Sequence, residues 1–256
     1  KGTTVLKIII CFMGLSVLTA CNYVPQSNRP NNGPNNGPDG RPVTDPVTSP
    51  PEAVARGDAK IGRPTGQFAY VVSKIEPEAE RLCVQYRPQF KCDFQIVVDY
   101  TTPDLVNAFQ TLLDDGTPVV IFSIGLINQA QNVDELAFVL GHEMSHHLEG
   151  HIYRQYQSAK TGAALLGGLT AITGGTADAI QQAQQIGATL GARTYSKSYE
   201  LEADKLGTII TATAGFDPLR GAAFFMRIPD PGDQFLGTHP PHAARLQTVR
   251  DTVAGF

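Results

Sequence analysis

Residues 132–150 read NVDELAFVLGHEMSHHLEG. Asn132, followed three positions on by Glu135, has the form of a capping box, which opens a helix. Leu136, Val139, Leu140 and Met144 then recur at helical spacing, and Gly150 supplies a stop. On that helix His142 and His146 are four apart, so both imidazoles fall on one face, one turn apart. Two such nitrogens can bind one Zn²⁺ at about 2.0–2.1 Å each. Glu143 stands beside the first and is placed to take a proton from an attacking water. The run before the motif is apolar, so the helix is buried there. Three ionisable groups in such a place are costly without a partner, which favours a metal over incidental histidines.

A catalytic zinc takes three protein ligands and keeps one open position. Position 149 is Glu and position 152 is Ile, so no third His follows at the H-E-x-x-H-x-x-G-x-x-H spacing. The best source of the third ligand is SYELEADKLG, residues 198–207, on a second strong helix expected over 198–214. Glu200 and Asp204 share a face there. Glu200 is assigned to the metal and Asp204 to a hydrogen bond from a ligating His. Glu202 lies about 200° around the helix from Glu200 and is expected to be exposed.

The chain of 256 residues carries 20 basic and 24 acidic side chains, a net charge of −4, and is 42% hydrophobic. Disorder throughout is excluded, and there is no electrostatic case for nucleic acid. Lys1 and Lys7 give a short basic start to an apolar run at 8–18, which ends in Leu18-Thr19-Ala20-Cys21. That run is too short to span a bilayer and suits an export signal. The ending resembles a bacterial lipobox, with Cys21 acylated and residues 1–20 removed. Asn22 after it favours the outer membrane. Residues 21–51, with Pro at 30, 34, 38, 42, 46 and 50, read as an extended tether. Residues 52–256 read as one domain. Of its cysteines, Cys83 and Cys92 make an even pair in an exported chain, and a disulfide is the natural inference.

The rest of that domain gives a helix from about 70 to 83, strands at 94–99, 105–112 and 119–124, and helices at 178–192, 219–226 and 242–253. Residues 161–177, uncharged but with five Gly and four Thr, read as a loop or a loosely packed hairpin rather than a membrane span.

H-E-x-x-H at 142–146, E-x-x-x-D at 200–204 and HPPHAARL at 239–246 together resemble the CAAX-prenyl-protease/HtpX-like family of gluzincin zinc metallopeptidases, and its exported bacterial lipoprotein branch. The resemblance covers more than half of the folded part. It implies an α+β, mainly helical zincin domain with a small β-sheet. It also implies one Zn²⁺ per chain on His142, His146 and Glu200, with Glu143 as base. His239 and Arg245 match the family's H-P-x₄-R pattern. His239 would stabilise the oxyanion, bind zinc as a self-inhibiting fourth ligand, or act structurally. Arg245 would position substrate or a neighbouring loop, or act structurally. His151 matches a recurrent His of uncertain role, for which a structural hydrogen bond is favoured over ligation. Tyr195 and Tyr199 are further candidate oxyanion donors.

Two expected departures, no transmembrane helices like those of the integral-membrane members and no repeat domain after the core, would count against prenylated peptide as substrate. The expected activity is that of a metalloendopeptidase (EC 3.4.24 type) on unfolded or misassembled envelope proteins. It would be lipid-anchored on the periplasmic side of the outer membrane. Residues 105–112 would offer an edge strand to substrate, and 161–192 a lid. The rival reading is a lipoprotein chaperone or assembly factor with a latent or mainly structural zinc.

Overall fold

The structure, a computed structural model, describes residues 61–101, 103–194, 196–228 and 240–256. The expectations for the signal, Cys21, the tether, Tyr195 and His239 lie outside these residues. The described ones all belong to the compact unit Val47–Phe256. In order they form β1 (Ile61–Gly62), α1 (Gly66–Tyr86), β2 (Gln95–Asp99), β3 (Ala108–Leu112), β4 (Pro118–Ser123), α2 (Ile124–Gln129), α3 (Val133–Leu148), α4 (His151–Ile172), α5 (Ala177–Thr194), α6 (Ser196–Thr213), α7 (Pro218–Ala222), a 3₁₀ turn (Ala223–Arg227) and α8 (His242–Val253). The domain is mainly helical with a small sheet, an α+β zincin-like arrangement.

The helix α3 is the axis of the domain. Its apolar run LAFVLG is buried on every side, as a helix that is hydrophobic all round must be. It packs against α1, α6, α7 and the sheet. Asn132 caps it by accepting the Glu135 N–H at 3.1 Å. The reciprocal bond falls one residue earlier than a capping box places it. Glu135 accepts from the Gln131 N–H at 2.8 Å and also binds Arg227.

The sheet runs β1-β2-β4-β3, with β2 parallel and β3 antiparallel to β4. All six residues of β4 are buried, as its apolar run Pro118–Phe122 requires, with Ser123 closing the strand. The expected strand at 105–112 starts only at Ala108. Before it the Ser123 hydroxyl donates to the Leu105 carbonyl at 2.6 Å, and the Asn107 N–H donates to that same hydroxyl, holding this segment as a loop. The strand β3 is one edge of the sheet, opposite β1, and packs against α3.

Residues 161–177 are not a loop. The helix α4 runs on to Ile172 and folds back through a short turn onto α5. The hairpin is tight rather than loose. A Cβ on Gly162 would sit 2.0 Å from the Gly187 carbonyl oxygen, and one on Gly191 2.1 Å from that of Ser158. Glycines that cost helix propensity singly are offset here by backbone-to-backbone packing between the two helices. The expected helix at 219–226 divides into α7 and the 3₁₀ turn.

Cys83 and Cys92 are joined in a disulfide, Cα to Cα 5.6 Å. The loop it closes covers the C-terminal end of α3. Arg87 Nε donates to the Leu148 carbonyl at 2.6 Å, satisfying one of the acceptors a helix end leaves over. His147 Nε2 donates to the Lys91 carbonyl at 2.7 Å, with its ring against Phe90 and Phe94. Phe90 closes under Gly150, whose φ of +65° ends α3.

The Cys83→Ala/Cys92→Ala double variant should lose about 2–3 kcal/mol, the loop-closure entropy of so short a ring, measured by urea unfolding. Burial holds His147 below the usual imidazole range, with its bond to Lys91 opposing. Its folded pKa is therefore below the unfolded value of about 6.5. Its contribution to stability is complete above that pH and is lost as the pH falls through the folded pKa. His147→Gln should flatten the drop in Tm between pH 7 and pH 5; an unchanged slope would exclude this histidine as a cause.

Candidate metal centre

Two helices build the site, and two glycines set their distance. A Cβ on Gly207 of α6 would lie 2.9 Å from the His142 backbone nitrogen, and one on Gly141 of α3 would lie 3.1 Å from the Gly207 carbonyl oxygen. The backbones thus meet at the level of the metal motif. Glu200 and Asp204, two turns and one turn before Gly207, are carried to the imidazoles. Sequence reasoning used neither glycine. The signal was available, since each interrupts an otherwise good helix.

His142, His146 and Glu200 come together, with ligand atoms all within 4.8 Å of one another. The Nε2 atoms of the two histidines are 3.1 Å apart, and each lies 3.5 Å from a Glu200 oxygen. A tetrahedral ion with bonds of about 2.0–2.1 Å separates its donors by about 3.3 Å. Two imidazole nitrogens and one carboxylate at these distances fit a divalent cation. Glu143, half-buried, follows His142 on the helix, and its charge is felt by Arg245.

Behind His142 stands a second layer. Its Nδ1–H donates to Asp204 Oδ1 at 2.9 Å. Asp204 is fully buried and receives Arg245 through Nε at 2.8 Å and Nη2 at 2.6 Å. Arg245 sits over Phe225, its guanidinium carbon 3.7 Å from the ring centre. The structure therefore directs Arg245 at Asp204, behind the ligand, and of the roles open in the sequence it fits positioning within the protein rather than contact with substrate. Arg245 Nη2 also lies 3.7 Å from Glu200 Oε2, so this buried cation is compensated by more than one carboxylate.

Burial and Arg245 both work against an imidazolium at His142, but Asp204 and Glu200 outweigh them and raise its pKa to about 9. Burial takes His146 down to about 3, with Glu200 opposing. Asp204 is lowered: burial acts to raise it, and Arg245 and His142 prevail.

His151 is not among the three grouped ligands. Its Nδ1 lies 2.8 Å from Nδ1 of His146. Glu202 is half-buried rather than exposed, because Arg154 and His151 both reach it from the first turn of α4. A helical wheel for α6 alone has no knowledge of α4. Tyr199 is buried and stacks on the His151 ring, so it is a wall of the site rather than an open donor. The α4–α5 hairpin, read as a lid, meets the site residues at its base, through His151 and Arg154.

A histidine pair on one helix and a glutamate from a second define the metal centre of a helix-borne metallopeptidase. The chain belongs to peptidase family M48, whose profile matches residues 67–253. Members of that family are metal-dependent peptidases. Among relatives, the beta-barrel assembly-enhancing protease of Yersinia pestis is 30% identical over 161 residues, 58% of this chain and 32% of that protein. A Vibrio cholerae protein provisionally given the same name is 38% identical over 160 residues, 57% of this chain and 32% of its own. The human mitochondrial metalloendopeptidase OMA1 is 27% identical over 167 residues, 59% and 31%. The chain thus spans about a third of the length of the curated relatives it matches.

Asp204→Ala leaves Arg245 buried without its main carboxylate. It should cost about 3–5 kcal/mol in urea unfolding with EDTA present. It should also weaken metal binding about 10- to 100-fold. Wild-type values in both would show that the pair does not support His142.

Proposed function

We propose that the protein is a zinc metalloendopeptidase of the bacterial cell envelope that cleaves unfolded or misassembled envelope proteins. The observation that carries this reading is the convergence of His142, His146 and Glu200, with Glu143 beside them, inside a family M48 domain. His142, His146 and Glu200 would hold the zinc. When bound, zinc polarises the scissile carbonyl and acidifies a water. Glu143 takes the proton of that water and passes it to the leaving amine. Asp204, held by Arg245, keeps His142 in the tautomer that presents Nε2 to the metal. His239 remains assigned, from the H-P-x₄-R pattern, to oxyanion stabilisation or to a fourth-ligand latch.

The sheet edge supports an extended substrate. Among the described residues no strand pairs with the outer side of β3, and β3 packs against α3. A peptide added there reads backbone more than side chains, which suits unfolded chains. The lipobox ending at Cys21 supports membership of the exported lipoprotein branch and a lipid anchor on the periplasmic side of the outer membrane. The two bacterial relatives are named for beta-barrel assembly, which suits a role on misassembled envelope proteins.

Glu143→Gln should keep the fold and one zinc per chain while casein hydrolysis falls by about 100- to 10,000-fold. Full cleavage by that variant would remove Glu143 from the mechanism. Zinc without any cleavage in wild type would favour a binding role or latency.

A further inference from the structure

The two histidines of the metal motif are backed differently. His142 donates directly to a carboxylate, Asp204, that an arginine holds. Among the described residues, His146 has no carboxylate at its Nδ1. It meets the Nδ1 of a third imidazole, His151, at 2.8 Å. The far nitrogen of that ring, Nε2, lies 3.2 Å from Glu202 Oε2. Glu202 in turn is gripped by both terminal nitrogens of Arg154. Tyr199 offers its ring to two members of this chain: the His151 ring stacks on it at 4.6 Å and 10°, and the Arg154 guanidinium sits 4.2 Å from its centre.

We infer that His151 and Glu202 are positioning residues for the metal ligand His146, forming a relay that does through one extra imidazole what Asp204 does directly for His142. Two imidazole nitrogens 2.8 Å apart need one proton between them. Either His146 or His151 can supply it. If His151 donates from Nδ1, its Nε2 carries a lone pair that faces the Glu202 carboxylate. His146 would then carry its proton on Nε2, pointing at His142 Nε2 3.1 Å away and closing the cluster to a cation. If His146 donates from Nδ1, both conflicts vanish. His151 Nε2–H donates to Glu202, its Nδ1 accepts from His146, and His146 Nε2 is free of its proton on the metal side. The carboxylate at the end of the chain therefore selects the tautomer of a ligand two rings away. Arg154 keeps Glu202 an acceptor, and stacking on Tyr199 holds the plane of the middle ring.

This inference rests on His146 being a ligand, and the experiment separates the two. Nitrogen NMR of the histidine rings in the zinc-loaded full chain should show His151 protonated at Nε2 and bare at Nδ1, and His146 protonated at Nδ1. A His151 protonated at Nδ1 alone would overturn the relay. Zinc affinity by chelator competition and the visible spectrum of the cobalt(II)-substituted chain supply readouts independent of turnover. His151→Leu should weaken zinc about 10- to 100-fold and alter the cobalt bands. His151→Asn, which can return an acceptor oxygen near the place of Nδ1, should recover much of both. Glu202→Gln, on a partly exposed side chain that folding tolerates, should show a smaller loss in the same direction and covers the case in which the His151 variants do not fold. Folded His151→Leu and Glu202→Gln with wild-type affinity and cobalt bands would overturn the relay, provided that His146→Ala loses zinc. Full zinc binding by His146→Ala would overturn the ligand assignment and the relay together.

Discussion

The contact between α3 and α6 at Gly141 and Gly207 is the constraint on which the site depends. A metal centre drawn from two helices needs their axes close enough for a short carboxylate to reach an imidazole on the other. Ordinary side chains at the crossing would hold helices about 8–10 Å apart. Here backbone meets backbone, and Glu200 and Asp204 reach His142 at 3.5 and 2.9 Å. The surrounding core secures this geometry. Phe138, Leu140 and Met144 anchor α3, and Ile210 anchors α6.

Around that contact the charges are arranged as layers of compensation. Glu200 faces the two imidazoles, Asp204 and Arg245 stand behind one of them, and His151, Glu202 and Arg154 behind the other. Each buried charge has an opposite charge or a hydrogen bond within reach, which is the condition for keeping ionisable groups inside an apolar core. The second arginine comes from the first turn of α4, so the long hairpin is tied to the metal ligand at its base. The disulfide loop does the corresponding work at the end of α3, through Arg87 and His147. Rigidity of the motif helix is thus supplied at both its sides and its end.

Much of this was legible along the chain. The motif helix with its Asn132 cap and Gly150 stop, the second helix bearing Glu200 and Asp204, the Cys83–Cys92 pair and strands close to 94–99 and 119–124 all follow from spacing and local chemistry. The misreadings have a common origin. Residues 161–177 look too glycine-rich for a helix because propensity counts the entropy cost and not the partner helix that offsets it. Glu202 looks exposed because a helical wheel for α6 contains no α4. The strand at β3 starts late because Ser123, on another strand, claims the preceding backbone.

The sequence by itself determined which residues can do chemistry here and in what local order. Spacing of three to four residues is enforced by helix geometry, so H-E-x-x-H and E-x-x-x-D each define one face without help from the rest of the chain. Tertiary structure alone decided which faces meet, what stands behind each ligand, and that Arg245 serves Asp204 while Glu202 serves His151. Those pairings join positions 41 to 51 residues apart, and they follow from the packing of whole helices at glycine contacts, which no local spacing encodes.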